Sequence, residues 1–274
     1  MIHPRHAFLA ALGLLLLETI AGCKPADPEK VVLTGSSTIA PLAAELGKKF
    51  EAAHPGVRID VQTGGSSRGI ADVKRGLADI GMSSRALKDD EKGGLTGHTL
   101  ALDGVCFLVH KDNPIVELTN AQIVDIFTGK TANWNAVGGK DAPITVINRA
   151  DGRSELDLFI HHFKLKAADI KASLIAGDNE QGIKTLAGNP DAIIYMSIGT
   201  SEQDAARGAP IRLLPLGGVK ASVENVRNGR FPLSRPLVLI TGQTVKPTAR
   251  RFLEYALSTD AQPLIREFSY VPNQ

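Results

Sequence analysis

The chain has 274 residues, 43% of them hydrophobic and 22% charged, which is the balance of a folded soluble protein rather than a disordered or fibrous one. Its 31 basic and 29 acidic residues leave a formal net charge of +2, and the basic residues are scattered rather than striped, so nucleic acid is not expected as a partner. Any anion bound by this protein must be held locally.

Residues 1–22 read as a secretory signal peptide: Arg5 precedes "AFLAALGLLLLETIAG", almost wholly apolar with Glu18 as its one charge. Ile20, Ala21 and Gly22 ahead of Cys23 resemble the lipobox of bacterial lipoproteins, which implies lipidation at Cys23 and an exported protein held at the membrane through a lipid anchor only. The apolar run is too short and poorly flanked for a permanent spanning helix, which needs about 20 residues. Residues 23–30, "CKPADPEK", form a polar linker.

From there the chain alternates between extended runs, Gly/Ser-rich loops and helical stretches. "VVLTG" (31–35) predicts a strand, and Ile39, Leu42, Ala43, Leu46 and Phe50 then share one face of a helix. "VRIDVQT" (57–63) alternates as a strand, "GGSSRG" turns, and Ile70, Val73 and Leu77 continue as a helix. "ADIGMSSR" (78–85) predicts a third strand ending in serines, and "TLALDGVCFLVH" (99–110) a long one. Cys106 sits inside that apolar run, so an inert buried thiol is expected. A helix on Ile123, Ile126 and Phe127 resets the pattern. Strands follow at 143–149, 191–199 and 231–242, and two helical segments close the chain, with Phe252, Leu253 and Ala256 on the first. The alternation predicts an α/β fold of two three-layer lobes, the chain crossing between them twice. Lobe I is placed at 31–109 together with 237–274, and lobe II at 110–236.

Three loops share one character: "TGSSTI" (34–39), "TGGSSRG" (63–69) and "NRADGRS" (148–154) each follow a strand, carry Gly with Ser or Thr, and open a helix. A helix N-terminus offers free backbone N–H groups and a positive dipole end, and hydroxyls add short donors. One such loop is as well explained by ordinary capping. Three of them, with "GMSSR" besides, point to an oxyanion site. In the third loop Leu156, Phe159, Ile160 and Phe163 have helical spacing, and Ser154 with Asp157 resembles a capping box, so structure alone accounts for Ser154. It does not account for Arg149 at a strand end, whose guanidinium suits bidentate capture of an oxyanion, with Asp151 placed to hold it.

Other chemistry finds less support. His161 and His162 lack further ligands at metal spacing, so a solvated helix face is expected and no metal or cofactor. Ser36, Ser37 and Ser67 are not in a nucleophile elbow, and "TGSSTIAP" lacks the lysine of a Walker loop, so no enzyme is expected. Trp134 and Tyr195 read as core or hinge packing, and "KDDEK" (88–92) as a solvated cluster.

The segments "TGSSTIAPLAAELGKKFEAAHPGVRIDVQTGGSSRGIADVKRGLADIGMSSRALKDDE", "DGVCFLVHKDNPIVELTNAQIVDIFTGKTANWNAVGG" and "VENVRNGRFPLSRPLVLITG" resemble the PstS-type phosphate-binding proteins of ABC transporters, over nearly all of residues 31–270. The resemblance implies a two-lobed periplasmic binding protein of class II topology, a monomer closing on one inorganic phosphate and presenting it to an ABC permease. Carried over by motif, the contacts are Ser37, Thr38 and the backbone N–H of Ile39, then Ser66 or Ser67, then Arg149, Asp151 and Gly152, with Arg153 and Ser154 following. Two departures stand out. Where the family places an acid that accepts the proton of hydrogen phosphate, this chain has Ser84, which weakens the case for phosphate over sulfate, molybdate or tungstate. Arg153, Ser154 and Glu155 replace the family's Ser-Gly-Thr: they either pair with each other outside the cleft or reshape the anion pocket. A phosphate-sensing module without a permease is the alternative use of the same fold.

Overall fold

The β-branched run before the first Gly/Ser loop forms β1 (Glu29–Gly35), the middle of three parallel strands in the computed structural model, which describes residues 27–273. β2 (Val57–Thr63) flanks it on one side and β3 (Ile80–Ser83) on the other, and the crossovers between them are α1 (Ala40–Ala53) and α2 (Ser66–Lys74). Parallel strands joined this way send all their C-terminal ends, and the helix starts that follow, to one edge. That edge carries the hydroxyl-rich loops.

The chain then enters β4 (Leu95–His110), sixteen residues long because it serves two lobes. Leu95 to Gly104 pair antiparallel with β9 (Ser234–Gly242), whereas Val105 to Val109 pair with β7 (Ala192–Ser197), and Phe107 to His110 with β8 (Ile211–Leu214). Val105 through Val109 are fully buried, the pattern of a strand covered on both faces. Between β4 and β7 in sequence come α3 (Asn120–Phe127), β5 (Thr145–Arg149), α4 (Ser154–Phe163), β6 (Leu174–Ala176) and α5 (Asn179–Ala187). After β7 follow α6 (Ile198–Ala206) and α7 (Val223–Arg227), and the chain returns along β9 to α8 (Pro247–Leu257), α9 (Gln262–Glu267) and β10 (Val271–Pro272). The strand order is β2-β1-β3-β9-β4-β7-β5-β6. β4 and β9 are the two crossings between lobes.

Two large cores result, with a small third cluster of Ile70, Val238 and Ile240 beside them. One packs Val31, Leu33, Leu46, Phe50, Met82 and Phe252. The other is built on aromatics: Phe159 stacks on Tyr195 with centroids 4.5 Å apart, and Phe107 and Phe127 close round them. Tyr195 also donates to Asn148 Oδ1 on β5, and Trp134 donates from Nε1 to Asp191 O, so both aromatics are core packing. Cys106 is fully buried here, and burial pushes its thiol well above the ordinary range.

Three local expectations change. Val105–Val109, assigned to lobe I by sequence, pack in the second core because β4 changes partner at Gly104. A Cβ at Gly104 would lie 2.6 Å from Ile198 Cδ1 and 2.9 Å from Val226 Cγ2, so a larger residue at this crossing would have to push both side chains aside. Leu77 is 65% exposed rather than on the face of α2. There Gly76 adopts φ +70°, while Gly76 N and Leu77 N donate to Val73 O and Asp72 O, a Schellman stop that ends the helix before Leu77. Glu91 of the charged "KDDEK" run is not merely solvated: its two oxygens accept from Arg85 at 2.6 and 2.7 Å.

Candidate anion-binding site

Three of the hydroxyl loops and the end of β3 meet between the lobes. On the first loop Ser36 Oγ accepts from the N–H of Thr38 at 3.2 Å and more distantly from that of Ile39 at 3.4 Å. Ser36 therefore braces the turn ahead of α1, and Ser37 lies partly exposed on the adjoining groove. Thr38 is buried and turns inward. Ser84, fully enclosed at the end of β3, shares hydrogen bonds with Ser36 Oγ (2.9 Å) and Ser154 Oγ (2.8 Å), while its N–H donates to Ser66 Oγ at 3.1 Å.

The far side is supplied by β5 and the start of α4. Arg149 is 1% exposed, and its Nη1 and Nη2 donate to Asp178 O (2.8 Å) and Asn179 Oδ1 (2.9 Å). Its Nε has no protein partner among the described residues, and neither has the buried Nη1 of Arg153. A buried guanidinium N–H without an acceptor is costly, and an oxyanion supplies one. Asn179 ties the two lobes by donating from Nδ2 to Thr38 Oγ1 at 3.3 Å. The cleft is narrow. Ser67 N donates to Gly152 O at 3.2 Å, and Gly65, at φ +96°, would set a Cβ only 2.8 Å from that same carbonyl. Arg153, half-buried, packs its side chain against Gly65, and burial together with the neighbouring Arg149 charge lowers its pKa.

At the back of the cleft stands Arg235, buried at the start of β9. It donates to Asp103 Oδ2 from Nε (3.2 Å) and Nη2 (2.9 Å), to Glu155 Oε1 (3.0 Å), to Ser154 Oγ (2.9 Å) and to Thr38 Oγ1 (3.3 Å). Thr38 Oγ1 in turn donates to Glu155 Oε1 at 3.1 Å. Burial pushes the Glu155 carboxyl up, but Arg235 and Arg149 outweigh it and bring its pKa down from 4.5 to about 2. A depressed carboxyl pKa gives stability that is present above the unfolded value and lost as pH falls through the folded one. Between pH 4.5 and 2, wild-type protein should therefore lose on the order of 3 kcal/mol that a Glu155→Gln variant does not lose, measured by urea unfolding at successive pH values.

Several sequence expectations are altered by these contacts. Asp151 is exposed and does not hold Arg149, because Asp178 O and Asn179 Oδ1 already occupy the guanidinium. No capping box forms at α4: its N-cap is Arg153 without a side-chain cap, and Ser154 spends its hydroxyl across the cleft. Asp157 instead accepts from Arg85 Nε (3.0 Å) on the opposite lobe, with Lys88 Nζ at 3.5 Å. Glu155 does not pair with Arg153 outside the cleft, since it is buried on Arg235. Thr38, Ser66, Ser84, Arg149, Gly152 and Ser154 are brought together, with Ser67 and Arg153 at the rim. Asp103, Asn179 and Arg235 complete the centre without belonging to any of the loops. Three guanidiniums, Arg149, Arg153 and Arg235, stand with two buried carboxylates, Asp103 and Glu155, and Asp178 acts on Arg153 beside them.

A family model of the PBP superfamily domain matches residues 24–260. The phosphate-binding protein PstS of Bacillus subtilis (strain 168) is 29% identical over 247 residues, covering 88% of this chain and 80% of its own length. PstS of Borreliella burgdorferi is 24% identical over 268 residues, or 94% of this chain and 95% of its own. Among solved structures, a Clostridium perfringens chain assigned as a phosphate ABC transporter substrate-binding protein, with bound phosphate, is similar at 31% identity and TM-score 0.83, over 90% of this chain and 100% of that one. An ABC-type phosphate transport receptor from Vibrio cholerae is similar at 27% identity and TM-score 0.72, over 89% and 100%.

Proposed function

The chain belongs to the PBP superfamily and to its PstS-type phosphate-binding proteins, and from that membership we propose that it captures inorganic phosphate between its lobes and delivers it to an ABC importer. The observation that carries this reading is the buried, unpartnered Nε of Arg149, on a guanidinium tied through Asn179 to the Thr38 hydroxyl ahead of α1.

The mechanism is exchange of one hydration shell for another. Phosphate leaves water for the hydroxyls of Ser66, Ser84 and Ser154 and for the unpartnered Nε–H of Arg149. Arg153, at the rim beside Gly152, adds a second guanidinium. Ser37 and Asp151 lie outside this ring and serve the loops that shape it. Asn179 fixes the plane of Arg149 and joins it to Thr38, so occupancy on one lobe is felt on the other. We place the hinge at Gly104/Val105 and Leu233/Ser234, where β4 and β9 pass from one core to the other. Closure then signals the loaded state to a permease.

Binding needs no bond to be made or broken, and no catalytic role is assigned. Cys23 lies outside the described residues, and no helix among those described is long and apolar enough to cross a membrane. The lipobox-like Ile20 to Cys23 supports export and a lipid anchor at the periplasmic or cell surface, and the net charge of +2 gives no electrostatic case for a nucleic-acid partner. Thermal unfolding tests the ligand. Phosphate at 100 times its Kd should raise the Tm by roughly 5 to 10 °C after copurified anion has been stripped. No rise with phosphate would contradict the reading.

A further inference from the structure

We propose that Arg85 and Asp157 are positioning residues that latch the lobes together: neither touches phosphate, but the contact they make across the closed cleft slows its release. The proposal rests on the phosphate reading and adds to it the pair that sets the lifetime of the loaded state.

One half of the latch is assembled within lobe I. Arg85 follows Ser84 at the end of β3, and its Nη1 and Nη2 donate to the two oxygens of Glu91 at 2.6 and 2.7 Å. Nη1 also donates to Ala86 O at 3.0 Å. Glu91 is fixed in its turn, because Oε2 accepts from the N–H of Lys88 at 2.8 Å while Glu91 N donates to Lys88 O at 3.0 Å. The hydrogen bonds from Arg85 hold the Glu91 carboxyl below the usual carboxylate range, so the pair is charged at neutral pH. Groups of its own lobe therefore set the guanidinium plane, and Nε is the donor left over.

The other half stands on α4. Asp157 Oδ2 accepts from Arg85 Nε at 3.0 Å, and Lys88 Nζ lies 3.5 Å from Oδ1. Among the described residues these are the only ion pairs that join the lobes away from the crossing strands β4 and β9. A carboxylate in the first turn of a helix is favourable whatever it faces, so Asp157 does not need Arg85 to sit where it does.

Position couples the pair to the anion. Arg85 is one residue beyond Ser84 and Asp157 one helical turn beyond Ser154, and those two hydroxyls meet across the cleft at 2.8 Å. Any movement that parts Ser84 from Ser154 also parts Arg85 from Asp157. The two side chains are 11% and 31% exposed, so the contact is shielded from water more than a surface pair is. A guanidinium already held in place loses little entropy on engaging. A contact made after closure, and not in the first encounter, acts on dissociation rather than association.

The test is release of radiolabelled phosphate from the stripped full chain into excess unlabelled phosphate, which gives koff, with titration calorimetry for Kd. Asp157→Asn and Asp157→Ala should release phosphate about three- to ten-fold faster than wild type. Their kon, taken as koff/Kd, should stay within about two-fold of wild type. The alanine variant is included because asparagine can still accept from Arg85 Nε. The sign of the change is decisive: deleting a carboxylate near an anion site would by itself tighten phosphate, through the more positive field. Unchanged or slower release in both folded variants, or weaker binding that comes from kon alone, would overturn the latch and leave phosphate capture standing. A wild type that binds no phosphate would overturn both.

Discussion

Arg149→Ala should weaken phosphate binding by about 2 to 5 kcal/mol, roughly 30-fold to several thousand-fold in Kd, the cost of losing a charge-assisted contact in a desolvated site. Arg149 is fixed before any ligand arrives. Its two terminal nitrogens are tied to Asp178 O and Asn179 Oδ1, so the guanidinium plane is set and little side-chain entropy is lost on binding. The remaining Nε is the group left to reach the anion. Arg149→Lys keeps the charge but not the fork, and an affinity between those of wild type and the alanine variant is expected. Unchanged affinity in Arg149→Ala, measured by titration calorimetry, would remove this residue from the site.

Arg235→Met should destabilise the fold by about 3 to 5 kcal/mol at neutral pH, because it leaves Asp103 and Glu155 buried together without their shared cation. The methionine fills much of the same space, so the loss reads electrostatics more than packing. Adding Asp103→Asn and Glu155→Gln to Arg235→Met should recover most of the stability, since a buried network replaced as a whole costs little. Denaturant unfolding of the single and triple variants decides this. A loss below about 1 kcal/mol in the single variant would mean that Arg235 is not the charge on which the two carboxylates depend. Phosphate binding should also suffer, because Arg235 orients both Thr38 and Ser154.

Much of the fold is legible in the sequence because its strands and helices carry their own periodicity. The run from Val105 to Val109 announces a strand covered on both faces, and Leu42, Leu46 and Phe50 announce the buried side of α1. What periodicity does not reveal is short. β6 and β8 have three and four residues, too few for a pattern, and β6 leaves Leu174 and Ile175 exposed. The end of α2 was written in Gly76, whose left-handed turn outweighs the apolar spacing that points on to Leu77.

The site divides in the same way. Thr38, Ser84, Arg149 and Ser154 lie at strand ends before helices, where α/β sheets gather ligands, and the resemblance to phosphate-binding proteins marks the same loops. Asp103 and Arg235 have no motif, yet a signal was present: each is a lone charge within an apolar run, "ALDGVCF" and "LSRPLVL", and a charge buried in a strand must find a partner. That the partner of each is the other, 132 residues away, is a matter of topology: β4 and β9 are neighbours only because both cross between lobes. Asn179 follows a loop with no strand signal before it, and only the fold brings it to Thr38. The Arg153–Glu155 pair turns on burial. Two opposite charges two residues apart invite a local pair, but at the start of α4 Glu155 points into the cleft and Arg153 packs along its rim.

Titration calorimetry of residues 23–274 with inorganic phosphate, after unfolding, dialysis and refolding to remove any copurified anion, tests the central claim most directly. Phosphate is expected to bind one site per chain, with a loss of affinity in Arg149→Ala that leaves the fold intact. Neither heat nor competition with arsenate in correctly refolded wild-type protein would contradict phosphate capture between the lobes.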